Sequence, residues 1–250
     1  MRFFVYFIFS ILLAACGGGG GGSTASTPSS SASTNQSLGG IWTGTYDGVP
    51  VDAATLDTGE IFFFSSDNQS GGGTAVVSGN SFSASWQVIT DIGWMFEDGS
   101  TVANCSGAGT IIERQSFSLI YSCTTTLGTS SNSTASLNYL NIYDRDSSLS
   151  TIAGNYNDGG ETLTVSSNGV IFEQSASTNC ILNGTVGVIN SNYNAYKGSI
   201  TYSNCTGDYA EFNNNTYTGA AFLDNRTSPE KVVFALKRNN RVIIDSLPRL

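Results

Sequence analysis

The chain has no histidine among its 250 residues. That excludes Ser-His-Asp and Cys-His catalysis, the commonest general base and most zinc and iron ligand sets. Charge is also scarce. Only 12% of residues are charged, against roughly 25% in typical soluble domains. Basic side chains are the scarcer sign, 10 against 19 acidic ones, so nucleic acid is not an expected partner. No Cys-x-x-Cys pair is present to announce a zinc site. The most apolar stretch, Phe3 to Leu13, covers eleven residues, whereas a helix crossing ~30 Å of hydrocarbon takes about 20.

What stands at the N-terminus is a single basic residue, Arg2, then that apolar run, then Ala14 and Ala15. Charge, length and small-residue exit read as a signal peptide over residues 1–15. Leu13-Ala14-Ala15-Cys16 resembles the lipobox of bacterial lipoproteins. The resemblance covers these four positions and their apolar lead-in. It implies that the Cys16 thiol receives a diacylglyceryl group and that Cys16 becomes the N-terminus after cleavage, so that the membrane is a partner through a lipid anchor. Gly17 follows, where an aspartate marks retention at the inner membrane, so the resemblance implies the bacterial outer membrane, on either its periplasmic or its surface face.

Residues 16–37 are rich in Gly, Ser and Thr, with one Pro28 and no large apolar side chain until Leu38. This is a solvated tether, with a root-mean-square reach of ~25 Å in the flexible regime. Removing residues 1–15 takes away Arg2 and no acidic residue, leaving 9 basic against 19 acidic side chains and a net charge of −10.

Besides Cys16 the chain carries Cys105, Cys123, Cys180 and Cys205. An even number in an exported protein reads as two disulfides. Cys105 and Cys123 are symmetric about Arg114, and Cys180 and Cys205 about Asn192 and Tyr193, each within a turn-like stretch. Each pair therefore brackets its own hairpin, where opposed residues come within disulfide reach.

Period-two alternation dominates. In Ser116 to Cys123, residues Phe117, Leu119, Tyr121 and Cys123 share one face and serines the other, which places the cysteine inward. Similar short runs recur along the chain, among them Ile41 to Tyr46, Phe82 to Ile89, Leu137 to Tyr143, Thr216 to Leu223 and Lys231 to Leu236. The halves resemble each other: Gly44-Thr45-Tyr46-Asp47 matches Gly154-Asn155-Tyr156-Asn157, and Gly59-Glu60-Ile61-Phe62 matches Gly169-Val170-Ile171-Phe172. Tyr46 to Cys105 is 59 positions but Tyr156 to Cys180 only 24, so the first half has either extra strands before its disulfide or a shifted one. The expectation is an all-β protein of two tandem antiparallel modules, residues 38–148 and 149–250, each a small barrel or sandwich of six to eight strands. In outline this resembles lipocalin-like barrels, without any of their motifs.

Three stretches stand out as possible sites. Asp144-Arg145-Asp146-Ser147-Ser148 offers alternate oxygens but lacks the glycine and distal glutamate of a calcium loop, so it reads as a salt-bridged turn at the junction, and no metal or other cofactor is expected. Lys237-Arg238-Asn239-Asn240-Arg241 reads as a charged, solvated hairpin tip. Trp94-Met95-Phe96 breaks alternation with three bulky apolar residues, so at least one faces outward. Trp94 and Phe96 are therefore the ligand-binding candidates. With histidine absent and the cysteines sequestered, no catalytic residue is assigned. A non-enzymatic module binding an envelope ligand or protein ranks first, a structural coat lipoprotein second and a carboxylate-dependent hydrolase third.

Overall fold

The computed structural model describes residues 35–91, 93–239 and 241–250. The signal peptide, Cys16 and most of the tether lie outside the described residues. Sixteen strands form the framework of the body: β1 (Gly40–Tyr46), β2 (Val49–Thr55), β3 (Glu60–Ser65), β4 (Gln69–Ser78), β5 (Ser81–Thr90), β6 (Val102–Ile112), β7 (Ser116–Thr125), β8 (Ser130–Leu140), β9 (Gly154–Asp158), β10 (Glu161–Val165), β11 (Val170–Gln174), β12 (Ile181–Val188), β13 (Tyr196–Ser203), β14 (Thr216–Asp224), β15 (Lys231–Arg238) and β16 (Arg241–Pro248). No helix among the described residues is long and apolar enough to cross a membrane.

β1 to β8 form a closed antiparallel barrel in sequence order, and β9 to β16 form a second eight-stranded antiparallel sheet, also in sequence order. The second sheet curls until its edges touch through a bridge between Tyr156 and Arg249. Arg249 secures that seam by donating to the Thr151 carbonyl at 2.7 Å and to the Tyr156 hydroxyl at 2.9 Å. The all-β expectation of two tandem barrel-like modules holds, with eight strands in each.

Sequence repeats that looked alike occupy equivalent places. Gly59 precedes the third strand of the first sheet and Gly169 the third strand of the second, with φ of 89° and 82°. Each accepts a hydrogen bond at its carbonyl from the following strand, Ala75 N at 2.7 Å and Val186 N at 2.7 Å. A side chain at either position would strain the positive φ and drive Cβ into a backbone carbonyl, at 2.6 Å and 2.3 Å respectively.

Both disulfides form as the spacing requires. Cys105 and Cys123 are directly opposed on β6 and β7, and Cys180 and Cys205 join the ends of the β12–β13 hairpin. The unequal spacing is explained by a shift: the bond staples the sixth and seventh strands of the first sheet but the fourth and fifth of the second. Loops of 18 and 25 residues correspond to roughly 3 kcal/mol each in the chain-entropy model.

Several local expectations need correcting. Composition predicts a solvated tether to residue 37, yet residues 35–37 are pinned across one end of the first barrel. Gln36 N donates to the Gly79 carbonyl at 2.9 Å, Gly79 N to Asn35 Oδ1 at 2.8 Å, and Glu113 N to Gln36 Oε1 at 2.9 Å. The run Leu137 to Tyr143 is not one strand: β8 ends at Leu140 and Asn141–Asp144 turn into a 3-10 helix. The basic hairpin tip is not simply solvated either. Arg241 pairs with Glu211 at 2.8 Å and lies over the Phe212 ring, and Lys237 donates to the Gly72 carbonyl of the first barrel at 3.0 Å.

The two sheets share an apolar seam. Ile41, Leu56 and Phe62 on the outer face of the first barrel pack with Ile142 and Tyr143 of the connection and with Ala220, Phe222 and Val233 on the outer face of the second. At its centre Asn194, only 1% exposed, donates to the carbonyls of Ile142 and Leu223 and accepts from Leu223 N. Two members of the polar cluster at the junction form salt bridges, Asp144 with Arg114 and Arg145 with Glu230.

Candidate functional site

The two interiors differ. In the second sheet the inward positions carry Leu163, Val165, Ile171, Leu182, Val186, Ile200, Tyr217, Leu223, Val232, Leu236 and Leu247, which pack into one cluster and leave a void of only about 40 Å³. Eight strands enclose just enough space for such side chains to fill. In the first barrel many inward positions are small. Ala53, Ala75, Ala84, Ala103 and Ala135 line a cavity of about 290 Å³, close to the lower end of small-molecule sites.

Glycines enlarge it in a specific way. Four aromatic residues stand directly opposite glycine on the neighbouring strand: Phe63 and Gly71, Trp86 and Gly73, Phe82 and Gly109, Tyr121 and Gly107. A Cβ on Gly71 would sit 2.6 Å from the Phe63 ring, and one on Gly109 2.8 Å from the Phe82 ring. The Phe63 and Phe82 rings therefore rest on bare backbone instead of projecting across the interior, while the Trp86 and Tyr121 rings pack against each other at 5.2 Å. The core is paved rather than filled.

One end of this barrel is sealed. Leu38, Trp42, Phe82, Phe117 and Leu137 are buried there. Trp42 makes edge contacts with Phe117 at 5.0 Å and Tyr139 at 5.2 Å, and its indole N–H donates to Thr55 at 2.8 Å. The Thr55 hydroxyl in turn donates to the Leu38 carbonyl, so the lone polar group at this end is satisfied. At the other end the lining residues Tyr46, Gln69, Thr125 and Ser133 are half-exposed and Ser131 is exposed. That end is the mouth.

The connection between β5 and β6, residues 91–101, lies over the mouth. Its turn is fixed by Trp94 N donating to the Asp91 carbonyl at 3.0 Å and Phe96 N to the Ser100 carbonyl at 2.8 Å. Phe96 lines the cavity and packs against Val88, Ala103 and Cys105. Trp94 and Met95 point out, 57% and 64% exposed. Of the two candidates, then, Phe96 belongs to the cavity wall and Trp94 to the outer lip. Cys123 also lines the cavity, making the first disulfide part of the wall, whereas Cys180 and Cys205 belong to the second sheet. Trp86 is one of the aromatics that the sequence offers for a binding surface, whereas Tyr46, Gln69 and Tyr121 carry no such mark there. The signal that marks them is glycine and small residues at inward positions of alternating strands, read together with strand register.

Three of the carboxylates at the mouth are held by hydrogen bonds, two of them from cavity-lining side chains. Asp67 accepts from the Tyr46 hydroxyl and from Gln69 at 2.7 Å. Asp98 accepts from Thr125 and from the Ser100 backbone at 2.9 Å. Asp47 accepts from Thr134 N at 3.1 Å. Hydrogen bonds from Ser100 and Thr125 hold the Asp98 carboxyl well below its usual range, and those from Ser133 and Thr134 lower Asp47. Burial, reinforced by Asp67, raises the Tyr46 hydroxyl, so it stays a donor at neutral pH.

No protein-family model matches this sequence, and no curated protein matches it. What fold and site define is a closed eight-stranded antiparallel barrel with an apolar cavity open at one end, buttressed by a second eight-stranded sheet whose interior is filled.

Proposed function

We propose that this chain is an outer-membrane lipoprotein, anchored through an acylated Cys16, whose first barrel binds a small apolar molecule without transforming it. The observation that carries the binding reading is the cavity of about 290 Å³. A water occupies about 30 Å³ of liquid, so the space admits on the order of ten methylene-sized groups. Apolar walls with a few polar groups gathered at the opening are the usual character of a small-molecule site. The second sheet, packed solid and joined to the first by an apolar seam, serves as support.

Naphthalene, a hydrocarbon of matching size without a head group, tests this. It should bind the full-length protein with a change in Trp86 fluorescence, because Trp86 lines the cavity. Ala84→Phe, which puts a ring into the space, should weaken binding at least ten-fold while leaving thermal stability equal or higher. Unchanged binding in that variant would place the ligand elsewhere and defeat the cavity reading.

The anchor rests on the lipobox resemblance at Leu13 to Cys16. Cys16→Ser should abolish labelling by radioactive fatty acid and release the protein from membrane fractions. An unacylated N-terminus at another residue in the native protein, read by mass spectrometry, would refute it.

A further inference from the structure

The cavity is polarised along its length. At the sealed end the one polar lining group, Thr55, is already bonded to Leu38 and Trp42. Polar lining groups gather at the open end: Tyr46, Gln69, Thr125, Ser131 and Ser133. A molecule apolar throughout would leave that end of the site unmatched, whereas one with a polar head and an apolar tail satisfies both ends.

The charge around the mouth selects among heads. The four strand connections at this end, residues 46–49, 65–69, 90–102 and 125–130, contain Asp47, Asp67, Asp91, Glu97 and Asp98 and not one Lys or Arg. The whole stretch from residue 35 to residue 113 contains no basic residue. Among the described residues none of those five carboxylates is in an ion pair. Asp67 and Asp98 hold cavity-lining side chains by hydrogen bonds and Asp47 holds the Thr134 backbone beside the lining residue Ser133, so their negative charge sits on the rim itself. An anionic head brought there meets like charge without a compensating cation, and a cationic head meets attraction.

We propose that the first barrel takes a single-tailed amphiphile with a positively charged head, an amine of about ten heavy atoms, with its tail against the sealed end and its head among Asp47, Asp67 and Asp98. This rests on the cavity reading above and specifies the ligand class for the same site. Asp67 and Asp98 position the head through charge, and Tyr46, Gln69 and Thr125 keep those carboxylates in place.

The test compares octylamine, 1-octanol and octanoate on the full-length protein at pH 7, by calorimetry and Trp86 fluorescence, with naphthalene alongside. Octylamine should bind roughly ten-fold or more tightly than octanoate, with 1-octanol between, and added salt should narrow the gap. The triple variant Asp47→Asn, Asp67→Asn, Asp98→Asn should level the series. If octanoate binds wild-type protein as tightly as octylamine while naphthalene binds, the charge assignment is overturned and the cavity reading survives. Naphthalene binding with silence from all three octyl compounds overturns the amphiphile. Failure of naphthalene itself removes the cavity reading and this proposal with it.

Discussion

Replacing Asn194 with alanine should destabilise the protein by about 3 kcal/mol, a large cost for a residue remote from any ligand. Asn194 is fully buried in the seam. Its amide donates to Ile142 O at 3.0 Å and Leu223 O at 2.7 Å, and its carbonyl accepts from Leu223 N at 3.0 Å. Truncation leaves three backbone groups without partners in an apolar setting, each worth on the order of 1–3 kcal/mol when unpaired. Some relaxation offsets part of this. The three bonds tie the connection after β8, the turn before β13 and the strand β14 together, so the loss should appear as a lower midpoint in urea for the whole body. A ΔΔG below about 1 kcal/mol would mean that the seam does not depend on this side chain.

The second large effect concerns a carboxylate inside the second sheet. Glu173 is 8% exposed, and its Oε2 is buried without a hydrogen-bond partner. Burial, with Asp158 beside it, pushes its carboxyl up to about 7. The folded state thus holds a proton that the unfolded chain releases near 4.5. Between those values the native state binds more protons than the unfolded one, so stability falls as pH rises from about 4.5 to about 7 and then levels off. Glu173→Gln removes the titration while keeping a donor toward Asp158. At pH 4 the variant and wild type should match. At pH 8 the variant should be the more stable, by on the order of 3 kcal/mol for a raised pKa of this size. Parallel stability curves for the two proteins across this range would rule out a buried, protonated Glu173.

Strands with one solvated face were legible because their alternation is clean. β7 places Phe117, Leu119, Tyr121 and Cys123 inward, as its pattern requires. β14 and β15 were located too, but their runs Gly219 to Leu223 and Val232 to Leu236 are nearly continuous, because Ala220, Phe222 and Val233 are buried in the seam while Ala221, Leu223, Val232 and Leu236 are buried in the barrel. Burial on both faces erases the period. β2 and β6 carry Pro50, Asp52, Asn104, Gly107 and Gly109, residues that weigh against a strand until the closed ring supplies neighbours.

Of the site, Phe96 was recoverable from the break in alternation it helps to make. The cavity was not. Its size depends on which glycines oppose which aromatics, and that requires the register between strands. A sequence offers Gly71 and Phe63 as residues eight apart, and only the hairpin between them turns the pair into one paved patch of wall.

The strap of residues 35–37 lies across the sealed end of the first barrel, and Leu38 continues from it into the cavity floor. On the proposed anchoring, the tether therefore joins the barrel at its sealed end. Strands of about ten residues at ~3.3 Å each, tilted as in small barrels, set the mouth roughly 25 Å beyond that entry point. The opening then lies at the end of the barrel farthest from where the tether enters, so the anchor's own attachment does not obstruct it.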